Sequence, residues 1–84
     1  MQLSDKRLIE LKDSIPKLVG LRIKEVRKDR GLTQTELAQL VGKDRQYLYK
    51  IEKGKVTPNI VTIAALALAL EVSLKELLDL DLKD

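Results

Sequence analysis

Two short helical patterns hinged at one glycine confine residues 33–53, TQTELAQLVGKDRQYLYKIEK, to a single arrangement: a helix, a tight turn and a second helix. Thr33 stands where an N-cap belongs, with Glu36 three residues on. Thr-x-x-Glu closes a capping box by satisfying orphan N–H groups reciprocally at a helix start. On this first helix Leu37, Ala38 and Val41 make one apolar stripe, and Ala38 is small enough for another helix to cross closely. Gly42 takes a positive φ without strain. Asp44 then caps the second helix, on which Tyr47, Leu48 and Ile51 lie inward. Arg45, Gln46, Tyr49, Lys50 and Lys53 lie outward, and that face is polar, basic and rich in hydrogen-bonding groups.

The rest of the composition narrows what such a face can do. Eighty-four residues make one domain with one modest core. With neither Phe nor Trp, that core is built from Leu, Ile, Val and Ala, which favours close helix packing over an aromatic-lined pocket. The absence of Cys and His excludes thiol nucleophiles, imidazole bases, disulfides and the usual zinc sets, so no metal or cofactor is expected. Net charge is only +3, but it is localised: residues 43–55 hold five Lys/Arg against Asp44 and Glu52. Residues 71–84 are acidic instead, with five carboxylates facing two lysines. The molecule is therefore electrically polar, and only one end suits phosphate. No continuous apolar run marks a targeting signal at the N-terminus. The longest near-apolar run, residues 60–70, is too short to span a bilayer and reads as a buried central helix, so a soluble cytoplasmic protein is expected.

In chain order, Ser4 caps a first helix in which Leu8, Leu11 and Ile15 recur at i, i+3 and i+7. Pro16 lacks an N–H and disfavours helix at Ile15, which predicts a break or kink there and a second helix over about residues 17–30, ended by Gly31. Val19, Ile23, Val26 and Arg27 share one face of that helix. After residue 53 a Gly-Lys-Val-Thr-Pro loop leads to Asn59, the cap of the apolar helix. Ser73 with Glu76 makes a second capping box, opening a last helix that carries Leu77 and Leu78 inward. The expected organisation is an N-terminal helical extension over 1–17, a domain over 18–79 and a tail over 80–84.

The run LRIKEVRKDRGLTQTELAQLVGKDRQYLYKIEKGK, followed by ALALALEVSLKELL, resembles the phage-repressor-like (Cro/C1, or XRE) helix-turn-helix family. Arg27, Gly31, Thr33-Gln34, Glu36-Leu37-Ala38, Gly42, Ile51-Glu52, Gly54 and Val72-Ser73 fall at the family's spacing. The resemblance covers about residues 19–78. It implies an all-α, compact five-helix lambda-repressor-like bundle, here with an extra N-terminal helix, that binds double-stranded DNA and is often a dimer. It also implies that the helix over 45–53 enters the major groove. Glu71 departs from the pattern, standing at a helix-ending position where the family often has Gly or Asn.

The residue chemistry agrees with that implication. Arg45 and Gln46 occupy the first turn of the recognition helix, with Lys50 one turn later. Arg suits the two acceptors of guanine and Gln the acceptor-donor pair of adenine. Tyr49 also points outward, where its ring suits a thymine methyl or its hydroxyl a phosphate, equally with an ordinary solvated helix face. Thr33 and Gln34 gather backbone N–H groups and a helix dipole where a phosphate can sit, and Lys43, Lys53, Lys55 and Asn59 frame the same surface. Each lysine taken singly is also an ordinary solvated charge. Arg27 and Glu52 resemble the family's partly buried ion pair.

These features point to a sequence-specific transcriptional regulator acting as a homodimer on a near-palindromic operator, with no small-molecule ligand evident. The alternative is an antitoxin-like interaction module that touches DNA secondarily; an enzyme is not expected, since the hydroxyls have no activating partner. Leu74, Leu77, Leu78, Leu80 and Leu82 supply a candidate dimer surface, with Leu80 and Leu82 surplus to a single core. The stripe over residues 8–15 is the other candidate.

Overall fold

The structure, a computed structural model, describes residues 1–82. It is all-α, with five helices among those residues: α1 (Asp5–Asp29), α2 (Gln34–Leu40), α3 (Arg45–Glu52), α4 (Ile60–Leu70) and α5 (Leu74–Leu77). Every helix start is held by the side chain that the sequence nominates. Ser4 accepts from the N–H of Arg7, Asp44 from Tyr47 and Asn59 from Thr62, while Thr33 with Glu36 and Ser73 with Glu76 close full capping boxes. Each such cap contributes about 1 kcal/mol and fixes where the helix begins.

The predicted break at Ile15 is absent, and α1 runs through Pro16 for 25 residues. The N-terminal extension is helical as expected, but it is the first half of α1 and not a separate helix. Proline in a helix interior costs about 3 kcal/mol through a lost hydrogen bond and a clash with the carbonyl four residues back. Two features offset this. The carbonyl that loses its partner belongs to Lys12, an exposed residue with water at hand, and the pyrrolidine ring itself is buried against the bundle.

The core forms where α1, α2, α3 and α4 converge, with Leu77 of α5 closing one side. Ile23, Leu37, Leu48, Ile51, Leu66, Leu70 and Leu77 are all under 2 % exposed, each such side chain contributing about 1.5–3 kcal/mol of transfer free energy. α4 ends at Glu71, which adopts φ 59, a left-handed conformation that costs a non-glycine residue about 1–2 kcal/mol. The N–H groups of Glu71 and Val72 return to the carbonyls of Leu68 and Ala67, at 3.1 and 3.0 Å, and the Arg30 guanidinium donates to the Glu71 carbonyl at 3.2 Å. Those bonds satisfy the helix end without glycine. Arg22 similarly donates through Nε and Nη2 to the Glu76 carbonyl, at 3.1 and 2.9 Å, binding α1 to the last helix. No helix among the described residues is long and apolar enough to cross a membrane.

Candidate nucleic-acid interface

α3 is anchored by its inner face so that its outer face is presented rigidly. Leu48 and Ile51 are buried, and Tyr47 is half-buried against the core. The turn before α3 is made by Gly42 at φ 70, which a side chain would strain. At the other end α3 crosses α1 at Gly20. A Cβ there would collide with the carbonyl oxygen of Ile51 and come within 2.8 Å of that of Glu52, so only glycine permits the crossing. Residue type alone offered a signal for this, since Gly20 is a glycine inside a helical pattern with no turn residues around it.

A buried polar network locks the same crossing. Arg27 donates from Nε to Glu52 Oε2 at 2.7 Å and from Nη2 to Oε1 at 3.0 Å, a bidentate pair whose two side chains are 8 % and 2 % exposed. Arg27 Nη1 also donates to the Leu32 carbonyl at 2.8 Å, and Gln34 Nε2 donates to Glu52 Oε1 at 3.1 Å. The ends of α1 and α3 and the start of α2 thus meet at one carboxylate. Such a pair contributes orientation more than net stability, because desolvation offsets much of the attraction. Helical wheels bring Arg27 to Glu52; they say nothing of Leu32 or Gln34, whose positions depend on the turn between α1 and α2.

Outside, Arg45, Gln46 and Lys50 are exposed, and Arg45, Gln46 and Tyr49 line a shallow hollow. The half-buried Tyr49 ring stands between two cations: the ammonium groups of Lys53 and Lys55 lie 5.8 and 5.7 Å from its centroid. Lys43 lies 5.1 Å from the Tyr47 ring in the same way. Within about 6 Å a ring quadrupole holds a cation for about 0.5–1 kcal/mol at an exposed site. Three of the four lysines nominated for this surface are therefore partly oriented before any ligand arrives.

At the start of α2, Thr33 Oγ1 accepts from the Glu36 N–H at 3.0 Å and Glu36 Oε1 accepts from the Thr33 N–H at 2.9 Å. The bond from the Thr33 backbone, and then that with its hydroxyl, hold the Glu36 carboxyl below the ordinary value of 4.5. Asn59 uses its Oδ1 on the Thr62 N–H at 2.8 Å. With its Oδ1 engaged as a cap, Asn59 has amide N–H donors to offer an anion, whereas the Thr33 hydroxyl is engaged with the Glu36 carboxyl. Gln34 is half-buried, one amide hydrogen committed to Glu52.

Leu77 and Leu78 turn inward as expected, but of the alternating pair beyond them only Leu82 is exposed. Leu77 is wholly buried in the core, and Leu78 and Leu80 are half-buried against it, which leaves Leu74 and Leu82, 38 % and 54 % exposed. Leu80 is not surplus: beyond α5 the chain turns back, its N–H bonding the Leu78 carbonyl at 2.8 Å, and lays the side chain on the bundle. Residues 83 and 84 of the predicted tail lie outside the described residues. Apolar surface appears elsewhere, on the outer side of α4, where a buried central helix was expected.

The sequence profile of the Helix-turn-helix family (HTH_3) matches residues 23–77. An HTH-type transcriptional regulator of Sinorhizobium fredii is 43 % identical over 61 residues, covering 73 % of this chain and 79 % of that protein. The immunity repressor protein of Bacillus phage phi105 is 44 % identical over 54 residues, 64 % of this chain and 38 % of that longer protein. Among solved structures, the restriction-modification controller protein C.AhdI of Aeromonas hydrophila superposes with a TM-score of 0.73 at 38 % identity, over 76 % of this chain and 93 % of that one. With α2 and α3 set at a glycine turn and the profile spanning the last turns of α1 and all of α2, α3, α4 and α5, the chain belongs to the helix-turn-helix family HTH_3, of Cro/C1 (XRE) type, and is a DNA-binding transcriptional regulator.

Proposed function

We propose that this regulator reads double-stranded DNA by sequence, with α3 entering the major groove and two copies engaging a near-palindromic operator. The observation that carries this reading is the contrast between the two sides of α3: Leu48, Ile51 and Glu52 are clamped into the bundle while Arg45 and Gln46 in its first turn and Lys50 in its last are exposed. Groups so held meet base edges in a fixed register. Arg45 and Gln46 are the base readers, with Lys50 and Tyr49 beside them. Thr33, Gln34, Lys43, Lys53, Lys55 and Asn59 take the phosphates on either side, setting position and salt dependence.

A single α3 reads only a few base pairs, so one copy of so small a domain gains little affinity from a half-site. Two copies with their recognition helices about 34 Å apart, one duplex turn, double the contacts. The protein acts in the prokaryotic or phage cytoplasm, at the nucleoid, by binding and not by catalysis. Selection from random duplexes at stated salt tests the reading. It should return a two-fold symmetric site bound about a thousandfold or more above random sequence. Binding that stays indifferent to sequence while remaining salt-dependent would reject it.

A further inference from the structure

The face of α1 that the bundle buries does not end where the bundle does. Leu8 and Val26 stand about five helical turns apart on the same side of the helix, and Ile9 and Lys12 fall within the arc that farther along carries the buried Val19, Gly20, Ile23 and Arg27. On residues 16–29 that arc is covered by the bundle. On residues 5–15 it forms the underside of a ledge about 15 Å long, room for one helix about 10–12 Å across. Leu8 and Ile9 are 44 % and 67 % exposed there.

Charge singles out the same place. Arg7 pairs with Glu10 and Lys17 with Asp13 elsewhere on the helix, both at 3.3 Å. Asp5 and Lys12, one turn before and one turn after the apolar pair, have no ion-pair partner among the described residues. Asp5, Leu8, Ile9 and Lys12 share an arc of about 100°, and their order is symmetric: the midpoint of residues 5 and 12 is also the midpoint of 8 and 9.

We infer that a second copy of the chain docks under this ledge, the two outer halves of α1 lying antiparallel about a two-fold axis between Leu8 and Ile9. Leu8 of each copy then meets Ile9 of the partner subunit. Asp5, about 5 Å along the helix from the axis, stands level with Lys12 of the partner subunit. A face with one charge of each sign, placed evenly about an apolar centre, complements itself, as a two-fold contact requires. Parallel pairing would instead set Asp5 against Asp5 and Lys12 against Lys12, and a partner of uniform sign would be repelled by one of the two.

The contact leaves the DNA-reading face uncovered. The Ile51 and Glu52 carbonyls lie against Gly20, and Gly54 lies against Lys17, so the ledge starts beside the end of α3 farthest from Arg45 and Gln46. The inference goes beyond the operator reading and does not depend on it. Two apolar side chains per copy cover well under the roughly 1,200 Å² of a stable interface, so the pair forms at high local concentration and separates on dilution.

The chain has no cysteine, so Ile9→Cys adds the sole thiol, next to the two-fold axis. The full chain, concentrated and without DNA, should form a disulfide-linked dimer under mild oxidation about tenfold or more faster than Lys28→Cys, whose thiol replaces an exposed side chain on the other half of the helix. Adding Asp5→Lys or Lys12→Asp to Ile9→Cys should slow the linkage by about tenfold in either case, because the facing charges become alike. Mixing those two charge variants should restore it, with mass spectrometry identifying the product as the mixed dimer. Thermal melts of each variant separate a loss of pairing from a loss of fold. If Ile9→Cys links no faster than Lys28→Cys, the ledge does not receive a second copy; a ledge built for a different protein would give this same result. Linkage that ignores both charge variants, or that mixing does not restore, overturns the antiparallel pairing. DNA is absent throughout, so either failure leaves sequence reading by α3 standing.

Discussion

The two halves of α1 carry the same kind of apolar period and meet opposite fates. Residues 5–15 bear Leu8, Leu11 and Ile15, and none of their side chains is buried; residues 16–29 bear Val19, Ile23 and Val26, and all three are. Both halves are helical, and both hold surface ion pairs of the ordinary local kind, Arg7 with Glu10 at 3.3 Å and Arg22 with Glu25 at 3.8 Å. The difference lies across from them. The second half faces α3 and α4, whereas the first, apart from Ile15 packed against the core at its inner end, overhangs the bundle and lines, with Asp81 and Leu82, an open hollow of about 530 Å³. Period-3.6 patterning thus specifies a helix and its stripe, while burial of the stripe is decided by what the tertiary structure sets opposite.

That contrast breaks most sharply at Gly20. Glycine to alanine inside a helix should gain up to about 1 kcal/mol from backbone propensity. At Gly20 the new methyl meets two backbone carbonyls of α3 that cannot move aside. Gly20→Ala should therefore reverse the sign and destabilise by about 3 kcal/mol, the upper range for overpacking, and weaken DNA binding as α3 shifts. Chemical denaturation with operator binding measures both; a stabilised variant would mean α1 and α3 do not cross here.

Of like size is the effect of breaking the Arg27–Glu52 pair, which only the second half of α1 can make. Either single alanine leaves a buried charge and should cost about 3 kcal/mol or more, with the double mutant losing clearly less than the sum. Strict additivity in denaturation midpoints would show that the two groups do not share an energy.

The outer face of α3 depends on that anchoring without contributing to it. Arg45→Ala should leave stability unchanged and forfeit about 1–3 kcal/mol of discrimination at one or two bases per half-site. Lys53→Ala or Lys55→Ala should weaken all sequences alike and reduce the salt slope by about 1. Base preference that survives Arg45→Ala in a folded protein would remove it from the readers.

Smaller still is the capping box of α2, which is local and exposed like the outer half of α1. The Glu36 carboxyl titrates below 4.5 when folded because it accepts the Thr33 N–H. A depressed folded value means that this cap stabilises fully above about pH 4.5 and is lost as pH falls through the folded value. The stability difference between wild type and Glu36→Gln should therefore be constant from pH 7 to about 5 and shrink below 4.5; a difference that grows with acid would contradict the bond. Least of all, Leu8→Ala and Ile9→Ala should change stability by about 0.5 kcal/mol or less, as for exposed substitutions generally. A cost near 2 kcal/mol would mean that the overhang is covered in solution.

What could be read from residue order alone is what depends on neighbours within a turn or two. Ser4, Thr33, Asp44, Asn59 and Ser73 are caps because their oxygens reach N–H groups three residues away, and Gly42 turns the chain through its own φ. The outward set on α3 was equally legible, since an eight-residue helix with Leu48 and Ile51 inside has only one other side.

Tertiary structure decided matters in which distant groups compete for the same space. Pro16 continues its helix because the bundle buries the ring, an energy that no local preference contains. Gly20 owes its role to two carbonyls more than thirty residues away in sequence, Gln34 owes its tilt to a carboxylate on another helix, and Leu80 is packed because the chain beyond α5 turns back. The outer arc of α4 is as apolar in sequence as its inner one; only the arrangement of the other four helices leaves it uncovered. Local bonding is encoded residue by residue, but burial is a property of the assembled volume, and a chain of this size has too little of it to enclose every apolar face that it makes.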